Sequence, residues 1–135
     1  MNNLYFETDY IKISWDSELQ AVVSEWIGYL GGGTGKTQIS HTKIAELLTQ
    51  HTAKKWLSDT RSLKVTDQAD QDWIAEVGQK LLVRAGLRYV AIVLPQSAIA
   101  NLSLNRILKR IEDFDLELSN HATLEEAKFW LNSKK

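Results

Sequence analysis

Hydrophobic and polar positions change rhythm several times along the chain. Ile11, Ile13 and Trp15 alternate with Lys12 and Ser14, the period of a half-buried strand. Asp16, Ser17 and Glu18 supply turn chemistry, and a second strand follows over about 19–27, with Val22 and Trp26 set against Ala21 and Val23. Two strands joined by so short a turn pair antiparallel. With Tyr5, Phe6 and Glu7 as an edge strand, the first third reads as a hairpin or meander. The rhythm then becomes helical. Ile44, Leu47 and Leu48, with Ile39 one turn earlier, predict a helix over about 40–50. Trp56, Leu57 and Ser58 predict a short buried strand, and Asp59, Thr60 and Arg61 the turn by which it leaves the sheet.

The clearest helical stripe is Trp73, Val77 and Leu81, flanked by Ile74, Gly78 and Leu82, and it predicts a helix over about 67–85. Acids crowd its first half, while Lys80 and Arg84 sit near its end, an order that complements the helix dipole. Gly86 is its stop. The run Y-V-A-I-V-L at 89–94 is apolar on both faces and suits a central parallel strand. Ser97 caps a further helix whose apolar face is Leu104, Ile107, Leu108 and Ile111. Phe114, Leu116 and Leu118 alternate as a last strand, and Thr123 with Glu126 forms a capping box for a closing helix that buries Leu124, Ala127, Trp130 and Leu131. The order β-β-β-α-β-α-β-α-β-α predicts an α/β fold. Its sheet is mixed and mainly parallel, carries an N-terminal antiparallel hairpin, and is flanked by about four helices.

Composition narrows the function classes. A length of 135 residues, 44% of them hydrophobic, suits one domain over 1–135 with a packed core. A net charge of −1 supplies no electrostatic reason for a nucleic-acid partner. The absence of cysteine excludes disulfides, thiolate metal sites and a cysteine nucleophile, and suits the cytoplasm. The N-terminus carries no signal-peptide pattern, and the longest apolar run falls far short of the roughly 20 residues of a membrane span.

Three stretches invite chemistry. G-G-G-T-G-K-T, from Gly31 to Thr37, ends like a phosphate-binding loop but is one residue short at its start, where Leu30 stands in place of glycine. It reads as a flexible glycine loop, with a weak anion site at the following helix as the alternative. Asp59, Thr60 and Arg61 lie at a strand's carboxyl end, where open α/β sheets bind ligands. There Arg61 would hold an anionic group and Asp59 would orient it, or Asp59 would cap the turn and Arg61 pair with a carboxylate. His41, His51 and His121 are scattered, show no metal-pair spacing, and read as surface residues. No G-x-S-x-G supports a serine triad, so no catalytic residue is assigned.

Four segments together, A-K-K-W-L-S-D-T-R, D-Q-D-W-I, G-L-R-Y-V-A-I-V-L-P and L-E-E-A-K-F-W-L, resemble the small STAS-like proteins of bacteria, relatives of anti-sigma-factor antagonists often called SpoIIAA-like. The resemblance runs from about Tyr5 to Leu131 and implies a mixed sheet flanked by helices. It implies a non-enzymatic regulatory or binding domain without a cofactor, recognising a protein partner or a small anionic or apolar ligand at the strand ends. Asp59, Thr60, Arg61, Thr66 and Asp67 are the candidate site, and a homodimer is a further expectation. Antagonists of this kind carry a phosphorylated serine in a D-S-S-G-type motif. The matching region here is T-D-Q-A at 66–69, where only Thr66 can stand in for it. The alternative is therefore a phosphorylation-controlled switch at Thr66, or a nucleotide- or phosphate-handling protein using the glycine loop.

Overall fold

A computed structural model describes residues 2–111 and 116–134. Three strands open it: β1 (Asn2–Glu7), β2 (Ile11–Asp16) and β3 (Ala21–Gly28) form an antiparallel meander. The turn after β2 closes on Asp16, whose Oδ1 accepts the Glu18 and Leu19 amides at 3.0 and 3.1 Å. Helix α1 (Lys36–His51), strand β4 (Lys55–Leu63), helix α2, strand β5 (Tyr89–Val93), helix α3 (Ala98–Arg110), strand β6 (Glu117–His121) and helix α4 (Leu124–Asn132) follow. Helix α2 has three pieces: an α-helical start, Gln68–Trp73, a π-helical turn, Ile74–Gly78, and an α-helical end, Gln79–Arg84. The sheet is mixed, as expected: β3, β4, β5 and β6 pair parallel. Phe114, assigned to the last strand from its alternation, lies outside the described residues.

Spatial order in the sheet equals chain order, β1 to β6. Right-handed crossovers that always step in the same direction send every crossover helix to one face. Accordingly Ile44, Leu47 and Leu48 of α1, Leu82 of α2, and Leu104 and Leu108 of α3 join one core with Val22, Trp26, Trp56, Val90 and Ile92 of the sheet. The opposite face holds a smaller core, in which Ala127 and Leu131 of α4 meet Ala21, Val23, Leu57, Ala91 and Val93. Because the order never reverses, the sheet has no topological switch point to open a crevice at its edge. The enclosed space of the fold lies instead under the three helices.

Two features depart from the expected elements. Strand β4 does not end at Ser58. Asp59, Thr60 and Arg61 lie within it, and pairing with β3 continues through Ser62 and Leu63 after pairing with β5 has stopped at Asp59. The apolar run ends early because the next side chains satisfy one another: Thr60 donates to the Val93 carbonyl at 2.6 Å, and Asp59 and Arg61 pair on the other face. Helix α1 starts at Lys36, four residues before the expected position, since its first turn is polar yet buried at Thr37, Ser40 and His41. Across β3 and β4 the larger core carries a crossed pair of bonds. Trp26 Nε1 donates to Ser58 Oγ at 3.0 Å and Trp56 Nε1 to Ser24 Oγ at 2.8 Å. Each indole thus packs its ring and satisfies its buried N–H diagonally on the neighbouring strand.

Candidate functional site

The expected site residues divide between the two faces of the sheet. Alternation along β4 places Thr60 on the three-helix face and Asp59 and Arg61 on the α4 face. Arg61 grips Asp59 with two bonds, Nε to Oδ1 at 2.9 Å and Nη2 to Oδ2 at 2.7 Å. Its pKa is raised by that carboxylate, and Glu25 and Glu125 add negative field around it. The carboxylate pairing considered as the alternative is present, but Asp59 lies within β4 and does not cap a turn. The Asp59 side chain is buried and that of Arg61 is 43% exposed. Arg61→Ala is therefore expected to cost about 1 kcal/mol in urea unfolding, since it strands a buried carboxylate. A neutral result would mean that solvent reaches Asp59 freely.

Thr66 and Asp67 sit where β4 hands over to α2. The Asp67 side chain caps the helix, accepting the Asp70 amide at 3.0 Å on Oδ1. Its other oxygen, Oδ2, accepts Gly32 N–H at 2.9 Å and Tyr29 O–H at 3.0 Å. These bonds hold its pKa below the usual carboxylate value, the two amides contributing most. The glycine loop thus already holds an anion, and it is the chain's own. Lys36, the lysine of the phosphate-loop-like pattern, lies over the Tyr10 ring at 5.2 Å. Any phosphate would have to displace the Asp67 carboxylate. Thr66 is half-buried, its amide donating to Ser103 Oγ at 3.2 Å and its carbonyl accepting from Gln71 Nε2 at 2.8 Å.

Between the sheet and the three helices lies a cavity of about 80 Å³. Trp26, Trp56, Val90 and Ile92 form its floor, and Leu104, Ile107 and Ile111 of α3 its roof. Its polar wall comes from the helix starts that the parallel topology brings to the carboxyl ends of β3 and β4. Thr37 Oγ1 donates to Asp70 Oδ2 at 2.8 Å, joining α1 to α2. His41, one turn on, is 2% exposed, so its reading as a surface residue is corrected. Its ring lies 5.5 Å from Trp26, 6.1 Å from Trp56 and 5.3 Å from Trp73. Nδ1 lies 2.9 Å from the Thr37 carbonyl, which can only accept, so Nδ1 carries the hydrogen. Desolvation lowers the His41 pKa to about 4, against the smaller opposing effect of that bond. The ring is neutral at pH 7, and its second nitrogen is an acceptor.

The buried face of α2 is also polar where the cavity meets it. Asp70, Gln71, Ala75, Gly78, Gln79 and Leu82 are buried, whereas Val77, expected on the core stripe, is 48% exposed. The π turn sits at this point, a form that concentrates at functional sites. Gly78 within it allows a close approach: a Cβ there would meet Trp73 Cζ3 at 2.9 Å and His41 Cδ2 at 3.3 Å. His41, Asp70 and Gln79 were invisible to a search for hydrophobic stripes. The signal was the spacing of Thr37, His41, Ile44, Ala45 and Leu48, all buried on one face of α1. Among the described residues, no group of three His, Cys, Asp or Glu side chains is placed to hold a metal. No helix is long and apolar enough to cross a membrane, again among the described residues.

No family model and no curated protein matches the sequence. Solved structures do. The chain is similar to the anti-sigma factor antagonist SpoIIAA in its unphosphorylated form, with a TM-score of 0.56 and 15% sequence identity. The match covers 99% of this chain and all of that one. The α/β architecture described above is thereby a STAS-like fold.

Proposed function

We propose that the protein is a non-enzymatic binding domain that takes a small apolar molecule into the cavity between its sheet and helices α1, α2 and α3. One observation carries this reading: three helices and four strands converge on unfilled space, with indole rings and aliphatic side chains on the walls and a few polar groups at one end. Binding is favoured over turnover by how the polar groups are engaged. His41 and Asp70 both contact Thr37, but His41 bonds its carbonyl and Asp70 its hydroxyl, so no relay links the imidazole to a nucleophile. A switch by phosphate at Thr66 is disfavoured, because the dianion would sit beside Asp67 and near Asp70. Recognition of a protein partner has one observation in its support. Ile99 and Leu102, on the helix that roofs the cavity, are 66% and 54% exposed.

Native mass spectrometry of the purified protein, with a denatured mass beside it, tests both readings. The expected result is a small adduct that is lost on denaturation and is absent from Ile107→Trp, which fills the cavity. A bare mass, combined with no rise in Tm in toluene-saturated buffer, would overturn the small-molecule reading. A protein-sized adduct or a dimer would favour the partner reading.

A further inference from the structure

Gln79 is 4% exposed, lines the cavity, and its side-chain amide has no hydrogen-bond partner among the described residues. The amide is not sealed off: among the described residues the fully buried side-chain atom without a partner is His121 Nε2, so the Gln79 amide opens onto the cavity, where an incoming group can meet it. Three of its polar neighbours in the lining are engaged. Ser58 Oγ accepts the Trp26 indole, Thr60 donates to the Val93 carbonyl, and Thr37 donates to Asp70. His41 keeps one free nitrogen, Nε2, bonded to the Cδ2 that faces Gly78, the residue before Gln79. The amide and the acceptor nitrogen therefore belong to the same end of the cavity.

The charge of the lining bears on what can enter. It contains Asp70 and neither lysine nor arginine. An anion in this cavity would face a carboxylate with no cation to offset it. The acceptors at the polar end, His41 Nε2, the Gln79 carbonyl oxygen and Asp70, call for a hydrogen donor. Size limits the rest: an apolar cavity of about 150 Å³ takes benzene, and this one is about 80 Å³. A single ring or an equally compact group therefore fits only with a small outward shift of α3. Outside the core, that helix is tied to α2 by the exposed fork of Arg110 on Asp72 and Glu76, at 2.6 and 3.0 Å.

Building on the cavity-binding reading, we propose that the site selects an uncharged, ring-sized apolar molecule bearing one N–H or O–H group. Gln79 would be the residue that reads the donor, with His41 beside it. The role differs from the packing role of other buried residues in α2, because a packing residue would not distinguish two ligands of equal shape.

Phenol, toluene and benzoate make the test. The first two share a shape and differ in the donor, and benzoate brings the negative charge. Affinities are measured by NMR titration of the full chain, for wild type and for Gln79→Met, a substitution of similar volume. The expected result is that phenol binds wild type at least about tenfold more tightly than toluene, a gap of about 1.4 kcal/mol, and that benzoate does not bind. In Gln79→Met the ratio should fall close to one. Equal affinities in wild type would mean that water serves the amide equally well, and would overturn donor selection while leaving the cavity reading intact. A phenol preference that survives in Gln79→Met would overturn the assignment to Gln79. Should Gln79→Met fail to fold, the Gln79 side-chain amide resonances of wild type decide: they shift with phenol and not with toluene, or the assignment fails. No binding of either ring would overturn the cavity reading itself.

Discussion

Acidification from neutral pH is expected to destabilise the fold through His41 by about 2 kcal/mol between about pH 7 and about pH 5. The sign follows from the direction of the shift. Burial among indole rings lowers the folded-state pKa from 6.5 to about 4, whereas the unfolded chain keeps the ordinary value. Between those two values the unfolded state binds the extra proton, so stability rises with pH and is lost as pH falls from 6.5 towards 4. The full separation corresponds to about 3 kcal/mol, a substantial share of the stability of a small domain. The hydrogen bond to the Thr37 carbonyl opposes this shift and is the smaller effect. The check is a series of urea midpoints across that range for wild type and His41→Gln. Wild type should weaken on acidification and His41→Gln much less. The His41 ring signals of wild type should show no titration above about pH 5. Parallel curves for the two proteins, or a ring that titrates near 6.5, would show that the imidazole is reached by water.

The same residue marks the boundary of what the sequence expressed. Ile11, Ile13 and Trp15 alternate in the sequence and are buried in β2. The continuous run of β5 became a strand with parallel neighbours on both sides, and Ser97 and Thr123 cap the helices expected of them. These features were legible because burial and apolarity coincide there. They part company in three places, each at or near the cavity. His41 is flanked by Ser40, Thr42 and Lys43, which hid its face. Asp70, Gln71 and Gln79 replaced apolar residues on the inner side of α2, and so moved the apparent stripe onto Val77. Ser58 and Thr60 continued β4 with hydroxyls, so the strand looked finished before its end. A stripe of buried polar residues reads as a surface until their partners are known. Of the residues expected at the site, Thr60 and Thr66 line the cavity, while Asp59 and Arg61 were carried to the other face by the alternation of the strand.

Gly31→Ala is expected to destabilise the protein by about 2 kcal/mol, and removal of Asp67 should relieve most of that penalty. Gly31 is buried against the clasp that ties the glycine loop to α2. A Cβ there would collide with Asp67 Oδ2 and lie 2.7 Å from both Asp67 Cγ and the Tyr29 hydroxyl oxygen. The exposed Tyr29 side chain can swing aside, but the carboxylate cannot retreat cheaply. The carboxylate is fixed on one side by the Asp70 amide and on the other by Gly32 N–H and the Tyr29 hydroxyl. Asp67→Ala alone should cost about 1 kcal/mol through the lost helix cap. In the double variant the added methyl meets the space the carboxylate left, so the combined cost should fall short of the sum by about 1 kcal/mol or more. Urea unfolding of the four proteins measures this coupling. Strict additivity would mean that the loop moves aside and that the clasp does not hold it. The cycle also bears on binding, because Leu30 and Gly31 line the cavity and Asp67 holds the loop that carries them against it. A loosened clasp should therefore weaken toluene and phenol alike, leaving their ratio unchanged, whereas a variant at Gln79 changes the ratio.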